Sequence, residues 1–145
     1  MRLVADRYRI ESEIGRGTAA VVFKAYDERT HHACALKVLR TTRRPDETWR
    51  RFEREVQLMT ELRHPHILRV FDYDLEGRRP WMAMAWARAG SVRQHLDRRG
   101  PLPLGDVLVH AVEILGALDT AHRAGVIHRD IKPSNLLKTS SGLKV

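Results

Sequence analysis

His128-Arg129-Asp130-Ile131-Lys132-Pro133-Ser134-Asn135 is the stretch on which the reading of this chain turns. It brings a carboxylate, an ammonium and an amide together in one short loop. Asp130 is a group that accepts a hydroxyl proton, Lys132 one that neutralises a phosphoryl group in transfer, and Asn135 one that offers a carbonyl oxygen to Mg²⁺. The plain alternative is a charged loop with a turn at Pro133-Ser134. The order of all eight residues speaks against it.

Upstream of this loop the spacing predicts a helix over about Leu104 to Ala124, with Gly125 as its C-cap and a short Val126-Ile127 strand after it. Val107, Leu108, Ala111, Leu115, Leu118 and His122 are its expected apolar stripe. Ser91 is a good N-cap for a shorter helix that Gly100 stops. Downstream, Leu136 to Lys138 and Leu143 to Val145 read as two short strands around Ser140-Ser141-Gly142. The amino-terminal part reads differently. Strands are expected at Tyr8 to Ile14, Ala20 to Tyr26, His32 to Leu39, Ile67 to Asp74 and Arg79 to Ala85. Pro45-Asp46 opens a charged helix that runs to about Arg63, where His64-Pro65 ends it. The expected class is therefore α+β: a five-stranded antiparallel lobe with an inserted helix, then the first helices and the loop of a helical lobe.

Three further features carry chemistry. Ile14-Gly15-Arg16-Gly17-Thr18-Ala19-Ala20-Val21-Val22 lies between two expected strands, where glycines let backbone amides approach a phosphate. A strand follows them and not a helix, which disfavours a dinucleotide fold. Ala35 and Lys37 share one face of the third strand, and a lysine between Leu36 and Val38 is costly unless it is paired. The best-placed partner is Glu55. It falls between Met59 and Leu62 on the apolar stripe that Trp49, Phe52 and Val56 begin, whereas Glu47, Glu53 and Glu61 have no such neighbours on both sides.

Together these motifs resemble the eukaryotic-type protein kinases, and most closely the bacterial serine/threonine kinases, from about Tyr8 to Val145. The resemblance implies ATP and Mg²⁺ as cofactors and a protein bearing Ser or Thr as substrate. It matches Gly15 and Gly17 to the loop that covers ATP, with Ile14 beside them in the nucleotide-binding set. It places Val22 beneath the adenine and Ala35 above it. Lys37 matches the lysine that holds the α- and β-phosphates, and Glu55 its helix partner. Met84 falls at the gatekeeper, and Ala85 to Ala87 at the hinge. Asp130 matches the catalytic base, Asn135 a magnesium ligand, and Arg129 the arginine that reads a phosphorylated activation loop. Lys132 resembles the serine/threonine class and not the tyrosine class. The third glycine of the loop is Ala20 here, and the usual acidic residue that opens the hinge is Ala85. By the same resemblance the chain is a kinase domain truncated before its Asp-Phe-Gly segment, with lobe and hinge at about 8–87 and the start of the second lobe at about 88–145. The fragment alone is then expected to be inactive, with its long helix lacking its cover. The alternative is a non-catalytic nucleotide-binding or interaction module.

The bulk properties agree with a globular chain: 145 residues, 43% hydrophobic and 30% charged. The net charge of +8 comes from 26 basic residues, of which 21 are arginine and 5 lysine. They are spread along the chain without interleaved aromatics, so a specific nucleic-acid partner is not expected. Where a lysine survives in so arginine-rich a chain, lysine chemistry is the more telling reading. A single cysteine, Cys34, forms no internal disulfide and suits a reducing cytoplasm. No apolar run is long enough to span a membrane. The pairs His31-His32 and His64/His66 lack a third ligand at convincing spacing and read as structural.

Overall fold

The computed structural model describes residues 3–40, 46–139 and 142–145. The chain divides into two units, Met1–Thr60 with Arg69–Trp86, and Glu61–Leu68 with Ala87–Val145. The segment after the charged helix, Glu61–Leu68, groups with the second unit.

The first unit is built on one antiparallel sheet of six strands: β1 (Leu3–Val4), β2 (Tyr8–Arg16), β3 (Ala20–Asp27), β4 (His32–Leu39), β5 (Val70–Asp74) and β6 (Trp81–Ala85). Their order is β1-β2-β3-β4-β6-β5. Five strands were expected, and the sixth is the two-residue β1. It forms because Ala5 and Asp6 are both left-handed (φ 53° and 49°) and turn the chain so that the Arg7 N–H donates to the Val4 carbonyl at 3.2 Å. Two expected strands are shorter than the sequence suggested. Ile67 and Leu68 are buried, but the Ile67 N–H turns back to the His64 carbonyl at 3.1 Å and the Leu68 N–H goes to the Val145 carbonyl at 3.0 Å, so β5 starts only at Val70.

Alternation along the strands gives the sheet two different faces. On one, Tyr8, Ala25, Cys34, Leu36, Trp81 and Ala83 form a buried cluster. Burial pushes the Cys34 thiol up to about 11, so it is a poor nucleophile. Tyr8 meets Trp81 edge-on, with ring centroids 5.1 Å apart.

Arg7 closes one end of this cluster. Its Nε and Nη2 donate to Asp27 at 2.7 and 2.6 Å, and its Nη1 donates to Asp72 at 2.6 Å. Asp27 ends β3, whereas Asp72 lies on β5 at the far edge of the sheet. One guanidinium therefore ties strands that are not neighbours, which curls the sheet. Asp27 also accepts from the Arg29 N–H at 3.0 Å and the Thr30 hydroxyl at 2.8 Å. Hydrogen bonding by Arg7, against the opposing effect of burial, holds its carboxyl far below the usual range.

Helix α1 (Glu47–Glu61) starts at Asp46, whose side chain accepts from the Trp49 N–H at 2.8 Å. Pro45 lies outside the described residues. Phe52 and Val56 are the buried part of its stripe.

In the second unit, α2 (Val92–Arg99) has the expected cap at Ser91, completed into a capping box by Gln94, and the expected stop at Gly100. Helix α3 covers Leu104–Arg123, with Ala124 as its C-cap and Gly125, left-handed at φ 76°, one residue beyond. One expectation fails here. The Val126-Ile127 strand does not form, because the Val126 N–H turns back to the Ala121 carbonyl at 2.9 Å. The buried stripe of α3 is Ile114, Ala117 and Ala121. Of the expected stripe, Val107, Leu108 and Leu115 are exposed, as are Ala111 and His122, and only Leu118 packs against the core pair of Val92 and Ile114. Strands β7 (Leu137–Thr139) and β8 (Gly142–Lys144) form a two-stranded ribbon. Ser140 and Ser141 lie outside the described residues.

Arg7→Leu is expected to cost roughly 2–4 kcal/mol, because it leaves the buried Asp27 carboxylate without its main partner. Asp72→Asn, at a side chain 39% exposed, should cost under about 1 kcal/mol. Urea unfolding of the two variants checks this order. The folded Asp27 carboxyl is depressed, so its contribution is complete above the ordinary range near ~4 and drains as pH falls below it. Arg7→Leu should remove that part of the acid dependence.

Candidate functional site

Two transverse rows cross the second face of the sheet. The strand register aligns Ser12, Lys24, Ala35 and Met84 in one row, and Gly15, Val22, Lys37 and Met82 in the next. Directly paired residues of antiparallel strands share a face, so Val22, Ala35, Lys37 and Met84 lie together on one face. Ala35 and Met84 are each 6% exposed and Met82 fully buried. The rows also contain a residue that the sequence reading passed over, Lys24. Its signal was the same period of two, counted onward from Val22.

Lys37 Nζ donates to both Glu55 oxygens, at 2.6 and 2.8 Å, and lies 5.9 Å from the centre of the Phe52 ring. Strand β4 and helix α1 are thereby joined at one charged point. The pair is partly exposed, 24% and 39% by side chain, so its net worth is about 1 kcal/mol. So small a gain does not explain why both charges stand among Ala35, Phe52 and Met82.

Gly15 lies near the end of β2 with Ile14 exposed beside it, and Gly17 opens the turn to β3. Neither glycine is left-handed. A Cβ at Gly15 would lie 3.8 Å from Val22, and one at Gly17 would lie 3.6 Å from the Ala20 carbonyl. These are ordinary contacts, so the local backbone does not demand glycine at either position. What a side chain would fill is the open side of the turn. Ala20, standing for the third glycine, is itself buried. At the end of β6 the Ala85 N–H is committed to the Arg69 carbonyl at 2.9 Å, and Ala87, which opens the second unit, accepts from the Gly90 N–H at 2.9 Å.

The loop that follows α3 lies wholly in the second unit. Arg129 is left-handed (φ 62°), a conformation a non-glycine residue holds at a cost of ~1–3 kcal/mol. The Asp130 N–H then points back to His128 Nδ1 at 3.3 Å. Asp130 Oδ2 receives Lys132 Nζ at 2.8 Å and Asn135 Nδ2 at 3.0 Å, and Asn135 Nδ2 also donates to the Asp130 carbonyl at 2.9 Å. A 3₁₀ turn, Pro133–Asn135, delivers Asn135 to that position. The hydrogen bond from Lys132, then that from Asn135, holds the Asp130 carboxyl below its ordinary value. The two bonds use the amide nitrogen of Asn135, the end that cannot bind a cation, and leave the carbonyl oxygen for one. This donor set fits Mg²⁺, and the row of Gly15, Val22 and Lys37 fits a phosphate chain.

The histidine pairs hold local structure. His32 Nδ1 meets the Thr30 carbonyl at 2.6 Å, and His64 Nδ1 accepts from the His66 N–H at 3.0 Å.

Comparison with known proteins agrees with this arrangement. The family model described as protein kinase domain matches residues 8–145, and the chain belongs to that family. Among its relatives are a probable serine/threonine-protein kinase PknB of Lactococcus lactis, 38% identical over 143 residues, and the serine/threonine-protein kinase PknL of Mycobacterium tuberculosis, 34% identical over 141. Another is the serine/threonine-protein kinase pkn3 of Myxococcus xanthus, 38% identical over 138 residues. These matches cover 94–97% of this chain but only 23%, 35% and 25% of the respective relatives. The family generally uses ATP and Mg²⁺. Among the described residues no helix is long and apolar enough to cross a membrane.

Lys132→Met should raise the Asp130 pKa toward the ordinary aspartate value, because it removes the largest cause of the depression. Carboxyl-carbon NMR titration of the two proteins measures it. An unmoved Asp130 would show that Lys132 does not hold the carboxylate in solution.

Proposed function

We propose that this chain carries the ATP-binding face and the catalytic loop of a protein serine/threonine kinase. The observation that carries the reading is the Lys37–Glu55 pair, set in a row with Gly15 and Val22 on one face of the sheet. In this reading the domain divides at about residues 8–87 and 88–145, the lobes of a kinase. The serine/threonine class, named for the relatives, comes to this chain through Lys132.

The roles follow from the chemistry. Glu55 fixes Lys37 Nζ, which meets the α- and β-phosphates. Gly15 and Gly17 let backbone amides reach the phosphate chain, with Ile14, Val22, Ala35, Met84, Ala85 and Ala87 at the base. Asp130, kept ionised by Lys132 and Asn135, orients the substrate hydroxyl and receives its proton. The hydroxyl oxygen bonds to the γ-phosphorus as the bond to the β–γ bridging oxygen breaks and ADP leaves. Lys132 offsets charge that spreads over the transferring oxygens. Asn135 holds Mg²⁺, which supplies further neutralisation when bound. Arg129 meets an activation-loop phosphate.

Transfer of labelled γ-phosphate to a Ser/Thr acceptor by the full-length protein tests the reading. Asp130→Asn should lower kcat by roughly 10²–10⁴ with little change in the KM for ATP. An unchanged rate would remove Asp130 from the chemistry. Gly17→Ala is expected to leave the thermal midpoint within about a degree and weaken ATP several-fold, since its Cβ makes only an ordinary 3.6 Å contact with the Ala20 carbonyl. Equal loss of stability would show that the fold needs the glycine after all.

A further inference from the structure

Lys24 is the one cation in the row of Ser12, Ala35 and Met84, and the roles assigned above do not use it. Its Nζ lies 2.7 Å from Glu11 Oε2 and 4.6 Å from the centre of the Trp86 indole ring. Glu11 stands on β2, Lys24 on β3, and Trp86 is the residue at which the chain leaves β6. Two neighbouring strands and one segment remote in sequence thus meet at one ammonium, which is 30% exposed by side chain. An isolated surface ion pair would need only Glu11. The aromatic face is a second and independent partner, and it belongs to the segment between Ala85 and Ala87.

We propose that Lys24 is a positioning residue for adenine-nucleotide binding: held by Glu11, it clamps Trp86 and so sets the backbone that receives the base. The proposal rests on the kinase reading, in which Ala35, Met84, Ala85 and Ala87 surround the base. The register supplies the geometry. Lys24 is paired directly with Ala35, and Ala35 directly with Met84, so the lysine stem borders the same row. A cation over an indole face is held by the ring quadrupole, and a carboxylate on its other side keeps it there. Without the ammonium, Trp86 has no charged partner among the described residues to fix its ring, and the backbone on either side of it loses an anchor. Lys24 itself touches no phosphate. Its effect therefore falls on the base end of the ligand, whereas the effect of Lys37 falls on the phosphate end.

Competition binding of ATP and of adenosine to the full-length protein separates the two lysines. Lys24→Met is expected to weaken both ligands by the same factor, about three- to fivefold. Lys37→Met should weaken ATP and leave adenosine unchanged. Lys24→Arg, which keeps both charge contacts, should restore most of the affinity. Trp86→Leu should match Lys24→Met, with the double variant no weaker than either single one. Thermal melts of each variant confirm that the binding comparison is made on folded protein. If Lys24→Met weakens ATP alone, the lysine meets the phosphates directly and the positioning role is wrong. Unchanged affinity for both ligands overturns the assignment by itself. A wild-type protein that binds neither ligand overturns the kinase reading, and this assignment with it.

Discussion

Strand β4 has to serve two incompatible environments at once, and the alternation of its side chains is the constraint that satisfies both. Cys34 and Leu36 point into the buried cluster with Tyr8 and Trp81. Ala35 and Lys37 point the other way, toward the rows that β3 and β6 complete. A slip of one residue in register would put an ammonium in the apolar cluster and a leucine on the binding face. Gly15, Lys37 and Met84 all owe their common face to this register. So does the meeting of Lys37 with Glu55, since α1 reaches only one side of the sheet.

Three carboxylate–cation contacts show how burial sorts structure from chemistry. Asp27 is 5% exposed, and its partners are a bidentate arginine, a hydroxyl and a backbone amide, so its charge is fully spent on holding strands together. Glu55 is partly exposed and has one strong partner, a lysine whose three donors are not used up by two bonds. Asp130 is exposed at 59% of its side chain, and its partners leave one carboxylate oxygen free of the bonds described for it. The same pairing of opposite charges is a latch in the first case. In the other two it keeps a charged group in place and still available to a ligand.

Much of this was legible from local pattern. Strands β3 and β4 were read nearly residue for residue, because alternation and the Asp27-Glu28-Arg29-Thr30 turn are short-range signals. Glu55 was separated from three other glutamates of its helix by periodicity alone. The loop from His128 to Asn135 was legible as a motif, although its inner bonds were not. The larger failures are long-range. Arg7 reaches Asp72 across 65 positions, and no local pattern announces a guanidinium that joins the two edges of a sheet. Leu68 looked like strand, but its N–H is taken by Val145 from the far end of the chain. On α3 the bulkier residues drew the eye, whereas packing chose Ala117 and Ala121.

The glycines carry the argument from fold to function one step further. Gly125 is left-handed and ends a helix, so the backbone itself explains it. Gly15 and Gly17 have no such explanation, for neither is left-handed and each has room for a methyl group. Glycine in a strand or a hairpin costs about 0.5–1 kcal/mol relative to alanine through the freedom of the unfolded chain. A position that bears this cost without a return in the folded backbone has its return elsewhere. Gly15 lies next to Val22 and in the row of Lys37, which in the proposed reading is where a chain of phosphates comes close to backbone amides.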